Sequence, residues 1–180
     1  MPAAVALLPE ALRARLVVTQ QARADDIPTV RAAYAQAGVT ARVESFLHDV
    51  PDLLRSAHLV IGRAGGSSVA EITTAGRPAV LVPLPIAASD EQTENARAMT
   101  DAEAGWMLRQ ADFTPRALAA LLGELFVANS GFASLSNAAA QSATLARPDA
   151  ARLLANVVEE CLHTFPSSTQ TPSSEKKPSP

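Results

Sequence analysis

Apolar and polar positions along this chain switch between a helical and an extended period. A helical stretch over 3–12 precedes the short β-branched run Leu16-Val17-Val18. Residues 27–37 read as a helix, with Asp25 or Asp26 as N-cap and Gly38 as its stop. Residues 41–46 have strand composition. Residues 50–56 read as a short helix, with Asp49 a candidate cap and Pro51 allowed in its first turn. The apolar run 58–62, the helix 67–75 ending at Gly76, and the near-continuous apolar run 78–82 follow. A helix over 90–100 and a strand over 105–108 complete the alternation, and beyond Thr114 only helices are predicted. Strands alternating with helices at this spacing specify an α/β fold, with a doubly wound parallel sheet, helices on both faces and a helical C-terminus. In such sheets ligands bind beyond the carboxyl ends of the strands, which selects the segments after Phe46, Gly62 and Val82.

Composition narrows the function classes. Of 180 residues 48% are hydrophobic, enough for a real core, and alanine supplies 37, which suits helices packed closely on a sheet. Residues 166–180 hold no apolar side chain except proline, so a Ser/Thr/Pro-rich disordered tail is expected over 164–180, after a folded domain over 1–163. Aromatics are 4%, the net charge is -3 and both lysines lie in the tail, so a nucleic-acid footprint is not expected. One cysteine, Cys161, excludes an internal disulfide framework, and its place on the apolar face of the last helix predicts a buried small hydrophobe. Three scattered histidines offer no metal-ligand spacing. The most apolar stretch, 79–88, is far too short to span a bilayer, and no signal-peptide pattern opens the chain.

Three segments carry candidate chemistry. The first is Arg63-Ala-Gly-Gly-Ser-Ser-Val-Ala-Glu71, between a buried strand and a helix. Gly65 and Gly66 allow close backbone approach. The free N–H groups of the helix start, with the Ser67 and Ser68 hydroxyls, form an anion site suited to a diphosphate. Glu71 follows one turn later, where a carboxylate can accept both hydroxyls of a ribose. The same residues also suit a plain turn and N-cap. The second segment is Asp90-Glu-Gln-Thr-Glu-Asn95, in which Gln92 and Asn95 share a helical face and suit sugar or phosphate contacts, or a solvated helix start. The third is Ser45-Phe-Leu-His-Asp49, where a planar base can rest on apolar side chains while backbone groups read its edge, or where Phe46 simply enters the core. His48 has no partner in the sequence that would orient it as a base.

In order and spacing, these segments together with Ala75-Gly-Arg-Pro-Ala-Val-Leu-Val-Pro-Leu-Pro85 resemble the bacterial peptidoglycan N-acetylglucosaminyltransferases of glycosyltransferase family 28. The resemblance runs from about residue 2 to about residue 162. It implies the donor-binding C-terminal half of a two-domain GT-B enzyme, inverting and metal-free, with UDP-N-acetylglucosamine as donor and lipid I as acceptor. Residue by residue it places Leu47 at the uracil, Gly65, Gly66, Ser67, Ser68, Val69 and Ala70 along the diphosphate and sugar, and Glu71 on the ribose. Gln92 falls at the donor sugar or phosphate, with Asn95 behind it. The family's usual histidine near Ile86 is absent, and Glu91 brings negative charge where a histidine or another polar residue is common.

The resemblance also implies that the acceptor domain, the general base and the contact with the inner face of the plasma membrane lie elsewhere, in a missing N-terminal domain or a partner chain. It further implies that a central strand preceding residue 2 is missing. That leaves the strands at Leu16 and Leu59 either with open inner edges or paired directly, and the chain alone is expected to be marginally stable and inactive. Two other readings share the residues: a separate sugar-nucleotide-binding subunit with a membrane-anchored partner, and a non-hydrolysing epimerase, which needs cleft acids and histidines that the sequence lacks.

Overall fold

The computed structural model describes residues 1–85, 90–126 and 130–164. They form two compact units, Met1–Ala146 and a second beginning at Arg147. In the first unit the helical stretch at the start is two helices, α1 (Pro2–Ala6) and α2 (Glu10–Arg13), not one. Pro9 breaks it: its ring disfavours helical backbone at Leu8, and Pro9 itself sits at φ -55, ψ 144 as the N-cap of α2. There follow β1 (Val17–Gln21), a 3-10 turn (Ala24–Asp26), α3 (Ile27–Gln36), β2 (Thr40–Glu44), α4 (Val50–Ser56), β3 (Val60–Gly62) and α5 (Gly66–Thr74). β4 (Ala79–Leu81), α6 (Glu91–Asp101), β5 (Gly105–Met107), α7 (Pro115–Leu125) and α8 (Ser130–Thr144) complete the order. Gly38 and Gly76 end α3 and α5 at φ +68 and +61, the left-handed turn that glycine adopts without a Cβ penalty. Thr114 caps α7, its hydroxyl accepting from the Ala117 N–H at 3.2 Å.

All strands pair parallel, in two ladders: β1 with β2, and β3–β4–β5. No ladder joins β1 to β3, so of the two expected arrangements the open one is observed. Among the described residues each of these strands is paired on one side only, and Val17 on β1 is 78% exposed. The alternation within β4 shows how helices cover both faces. Val80 enters the layer formed by Ala4, Val5, Tyr34, Leu118 and Leu122, while its neighbours Ala79 and Leu81 enter the opposite layer with Ile72, Ala96 and Met99. β4 is wholly buried, as the central strand of a parallel sheet should be. Each large apolar side chain so buried contributes about 1.5–3 kcal/mol.

The second unit is described through α9 (Ala150–Thr164), opened by the Asp149–Arg152 ion pair at 3.3 Å. Leu153, Leu154, Val157, Val158 and Leu162 lie along it at helical spacing and are exposed. Cys161 is exposed as well, contrary to the burial expected from its position. Among the described residues of its own unit α9 is the one helix, and none of them forms a second layer over its apolar stripe. The expected tail beyond Thr164 lies outside the described residues, as does Ile86.

Candidate functional site

β3 ends at Gly62 and the chain turns through Arg63, buried Ala64 and Gly65 into α5. Gly65 is the N-cap, at φ -64, ψ 146, and lends no side chain to the helix amides. The first backbone bond of the helix runs from the Val69 N–H to the Gly65 carbonyl at 3.0 Å, which leaves the Gly66, Ser67 and Ser68 amides ahead of it at the positive end of the helix dipole. Gly66, Ser67, Ser68 and Ala70 are exposed at this end. Val69 is half-buried and packs against the core layer of Ile72 and Met99.

Glu71, exposed, lines a groove of about 450 Å³ between α4 and α5. Val50, Pro51, Leu54 and Arg55 form one wall, and Ala70, Thr74 and Ala75 continue the other. The groove starts at the N-terminus of α4, where the β2–α4 loop delivers Phe46, Leu47 and His48. Phe46 is 62% exposed and stacks edgewise on the exposed His48, with ring centroids 4.7 Å apart. Leu47 between them is half-buried. The possibility of Phe46 as a core residue is thereby overturned: the chain leaves the sheet at Glu44, two residues before it.

Gln92 and Asn95 share one face of α6, as their spacing predicts, and both hold scaffold. Gln92 Oε1 accepts from the Leu84 N–H at 3.0 Å, fixing the chain just after β4. Asn95 Nδ2 donates to the Ala64 carbonyl at 3.0 Å, fixing the loop ahead of α5. Glu91, in the first turn of α6, is exposed.

Two arginines without an assigned role in the sequence turn out to organise the strand exits. Arg63 Nη1 donates to the Val82 carbonyl at 3.1 Å and to Gln110 Oε1 at 2.6 Å, so one guanidinium links the ends of β3, β4 and β5. Arg42 on β2 grips two carboxylates, Glu44 (Nε to Oε1, 2.8 Å) and Asp49 (Nη1 to Oδ2, 2.7 Å). Asp49 holds the N-cap position of α4 but makes no side-chain cap bond, a correction to its expected role; its carboxylate is turned to Arg42 instead. The hydrogen bonds from Arg42 lower both carboxyl pKa values, and the two carboxylates raise that of Arg42. The signal available in the sequence was an arginine among acidic residues at a strand exit, which spacing alone does not separate from a solvated surface.

The α5 N-terminus, Glu71 and the β2–α4 loop thus line one end of the sheets, beyond the strand carboxyl ends. Amide donors for an anion, a carboxylate one turn away and an apolar-walled groove together suit a nucleoside diphosphate. Among the described residues, no three His, Cys, Asp or Glu side chains converge to hold a metal ion.

Comparison with known proteins shows the family. Residues 1–154 match the glycosyltransferase family 28 C-terminal domain. A UDP-N-acetylglucosamine–N-acetylmuramyl-(pentapeptide) pyrophosphoryl-undecaprenol N-acetylglucosamine transferase of Granulibacter bethesdensis is 54% identical over 164 residues, 91% of this chain and 42% of the relative. Its namesake in Gluconobacter oxydans is 53% identical, over 91% of this chain and 44% of the relative. The chain therefore spans less than half the length of these relatives. The crystal structure of Acinetobacter baumannii MurG superimposes with a TM-score of 0.77 at 31% identity, over 88% of this chain and 44% of that one. WaaG, a glycosyltransferase of lipopolysaccharide biosynthesis, shares the fold at a TM-score of 0.57 and 24% identity, over 87% of this chain and 42% of that one. With an α/β fold of parallel strands, a helical C-terminus and a match over residues 1–154, the chain belongs to glycosyltransferase family 28, through that family's C-terminal domain.

Proposed function

We propose that this chain is the donor-binding part of an inverting hexosyltransferase, which moves N-acetylglucosamine from UDP-N-acetylglucosamine to lipid I, forming lipid II for peptidoglycan. One observation carries the reading: the free amides at the start of α5 and the Glu71 carboxylate stand one helical turn apart beside an open groove. The Gly66–Ser68 amides and the serine hydroxyls hold the diphosphate, and Gly65, Val69 and Ala70 supply the surrounding backbone. Glu71 accepts the ribose hydroxyls. Leu47 meets the uracil through its backbone, and Phe46 offers an apolar rest. Gln92, its Oε1 already engaged, turns its amide nitrogen to the donor sugar or phosphate, with Asn95 behind it holding the α5 loop.

In the transfer an acceptor hydroxyl attacks the anomeric carbon as the bond from that carbon to the β-phosphate oxygen breaks, and UDP leaves. The hydroxyl proton passes to a base outside this chain. Negative charge growing on the diphosphate is met by the α5 amides and hydroxyls, preorganised donors that need no metal. The acceptor and the inner face of the plasma membrane are met by an acceptor-binding domain or partner chain. Among the described residues no helix is long and apolar enough to cross a membrane.

Isothermal titration of UDP-N-acetylglucosamine into the chain tests the reading. Glu71→Ala should weaken binding by about 1–3 kcal/mol, the cost of an ionised hydrogen-bond partner. Equal affinity in the two proteins removes Glu71 from the site.

A further inference from the structure

The β2–α4 loop, Ser45 to His48, is short and mostly open to solvent, yet it is pinned at both ends by one side chain. Arg42 lies on β2 two residues before Glu44, on the same side of the strand. Its guanidinium meets Glu44 through two bonds, Nε to Oε1 at 2.8 Å and Nη2 to Oε2 at 3.1 Å. It meets Asp49 through two more, Nη1 to Oδ2 at 2.7 Å and Nη2 to Oδ1 at 3.2 Å. Glu44 is the last residue of β2, and Asp49 is the residue from which α4 starts. The fork therefore closes a clasp across the whole loop. Only a planar guanidinium offers two pairs of donors to two carboxylates at once; an ammonium does not. At the near end the loop is also tied to β1, by Gln21 Nε2 to the Ser45 carbonyl at 3.0 Å and the Ala22 N–H to the Glu44 carbonyl at 2.9 Å. At the far end the Asp49 carboxylate makes no cap bond to α4 and goes to Arg42. A cap residue that gives up its own helix serves the clasp.

We infer that Arg42 is a positioning residue for nucleobase selection, setting the backbone of Phe46, Leu47 and His48 so that it reads uracil in preference to cytosine. The inference rests on the proposed seating of the base at Leu47. Uracil and cytosine have nearly the same shape and differ in the donors and acceptors on one edge. A backbone N–H and C=O tell them apart only if both are held within the narrow range of hydrogen-bond distance and angle. Between the strand end and Asp49 the loop carries Ser45, Phe46, Leu47 and His48; with the base seated at the Leu47 backbone, discrimination falls to that backbone, and backbone position falls to the clasp. Arg42 touches no substrate in this arrangement. It acts through Glu44 and Asp49.

The test titrates UDP and CDP separately into the full chain, as wild type, Arg42→Gln, Arg42→Lys and Glu71→Ala, with folding followed by circular dichroism. Wild type is expected to prefer UDP. Arg42→Gln should weaken UDP by about tenfold while changing CDP by less than about twofold, so that the preference collapses, whereas Glu71→Ala weakens both nucleotides alike. Arg42→Lys should fall between, keeping the charge but not the fork. An unchanged UDP-to-CDP ratio in folded Arg42→Gln, with Glu71→Ala still weakened, overturns the positioning role and leaves the site standing. Absence of uridine nucleotide binding in wild type, or full binding in Glu71→Ala, overturns the site and this inference with it. If Arg42→Gln does not fold, the Glu44→Gln/Asp49→Asn double variant removes the clasp from its other side. An unchanged ratio there is likewise decisive against the role.

Discussion

Asn95 reaches across from α6 and donates through Nδ2 to the carbonyl of Ala64, 3.0 Å away, on the loop that opens α5. Ala64 is fully buried, so its carbonyl has little access to water as a substitute partner. The same amide nitrogen lies 3.9 Å from where a Cβ on Gly66 would stand, so the bond reaches the first residue of the anion-binding helix. Asn95→Ala should cost about 1–3 kcal/mol through the orphaned carbonyl and should weaken UDP-N-acetylglucosamine as well. Urea unfolding and isothermal titration on one preparation read both. A stability loss with intact binding would show that the bond serves the fold alone.

Gly105 opens β5 opposite Ala79 of β4. A Cβ there would press into the Ala79 carbonyl oxygen and stand 3.3 Å from its carbonyl carbon and nitrogen. Backbone cannot swing away as a side chain can. Gly105→Ala is therefore expected to destabilise by at least the ~1–3 kcal/mol typical of overpacking. Gly62→Ala, at a position with nothing within 4 Å, is the control and should stay within about 1 kcal/mol. Denaturant midpoints of the two variants check the contrast.

Tyr34 is the one tyrosine of the sequence, so its ionisation is read directly in the ultraviolet. Its ring is buried and its hydroxyl donates to Gln20 Oε1 at 2.6 Å. Burial raises its pKa from 10.0 to about 12. The neutral phenol is thus favoured by folding: its stabilising effect is complete below pH 10.0 and is lost as pH climbs towards about 12. An alkaline titration should show the phenolate absorbance rising near 12 in native protein and near 10 in denaturant. A native midpoint at 10 would contradict the burial.

The Arg42 clasp has the opposite sign. Glu44 and Asp49 titrate below their ordinary values of 4.5 and 3.8, chiefly through the hydrogen bonds from Arg42. The contribution of the pair is present above those values and is lost as pH falls through the depressed ones. Carboxyl-carbon NMR titration should place both groups low in wild type and return them towards 4.5 and 3.8 in Arg42→Gln. Both side chains are solvent-facing, so salt should narrow the difference.

Much of this architecture is legible without coordinates. Gly38 and Gly76 mark true helix ends, the apolar run at 78–82 is the buried central strand, and the glycine-serine block does open a helix at a strand exit. The misreadings share a cause: each depends on a partner distant in sequence or on the local effect of one residue. Pro9 divides a stretch whose periodicity is otherwise continuous. Asp49 has every local attribute of a cap, yet Arg42, seven residues earlier, claims its carboxylate. Gln92 and Asn95 show the shared face their spacing predicts, but their bonds to Leu84 and Ala64 are tertiary and leave no trace in spacing. Cys161 sits on an apolar stripe, and the stripe says nothing about whether a second layer covers it.

The open edges of β1 and β3 have a consequence for isotope exchange. β4 has a neighbour on each side, so its amides are all committed and should exchange deuterium only when the whole three-stranded ladder opens. A parallel edge strand commits its amides alternately, one inward and the next outward. β1 and β3 should therefore each show a two-speed pattern, with slow and fast protons at successive residues. Any polypeptide that paired with either edge would announce itself by slowing the fast set on that strand, long before it changed the spectrum of the helices.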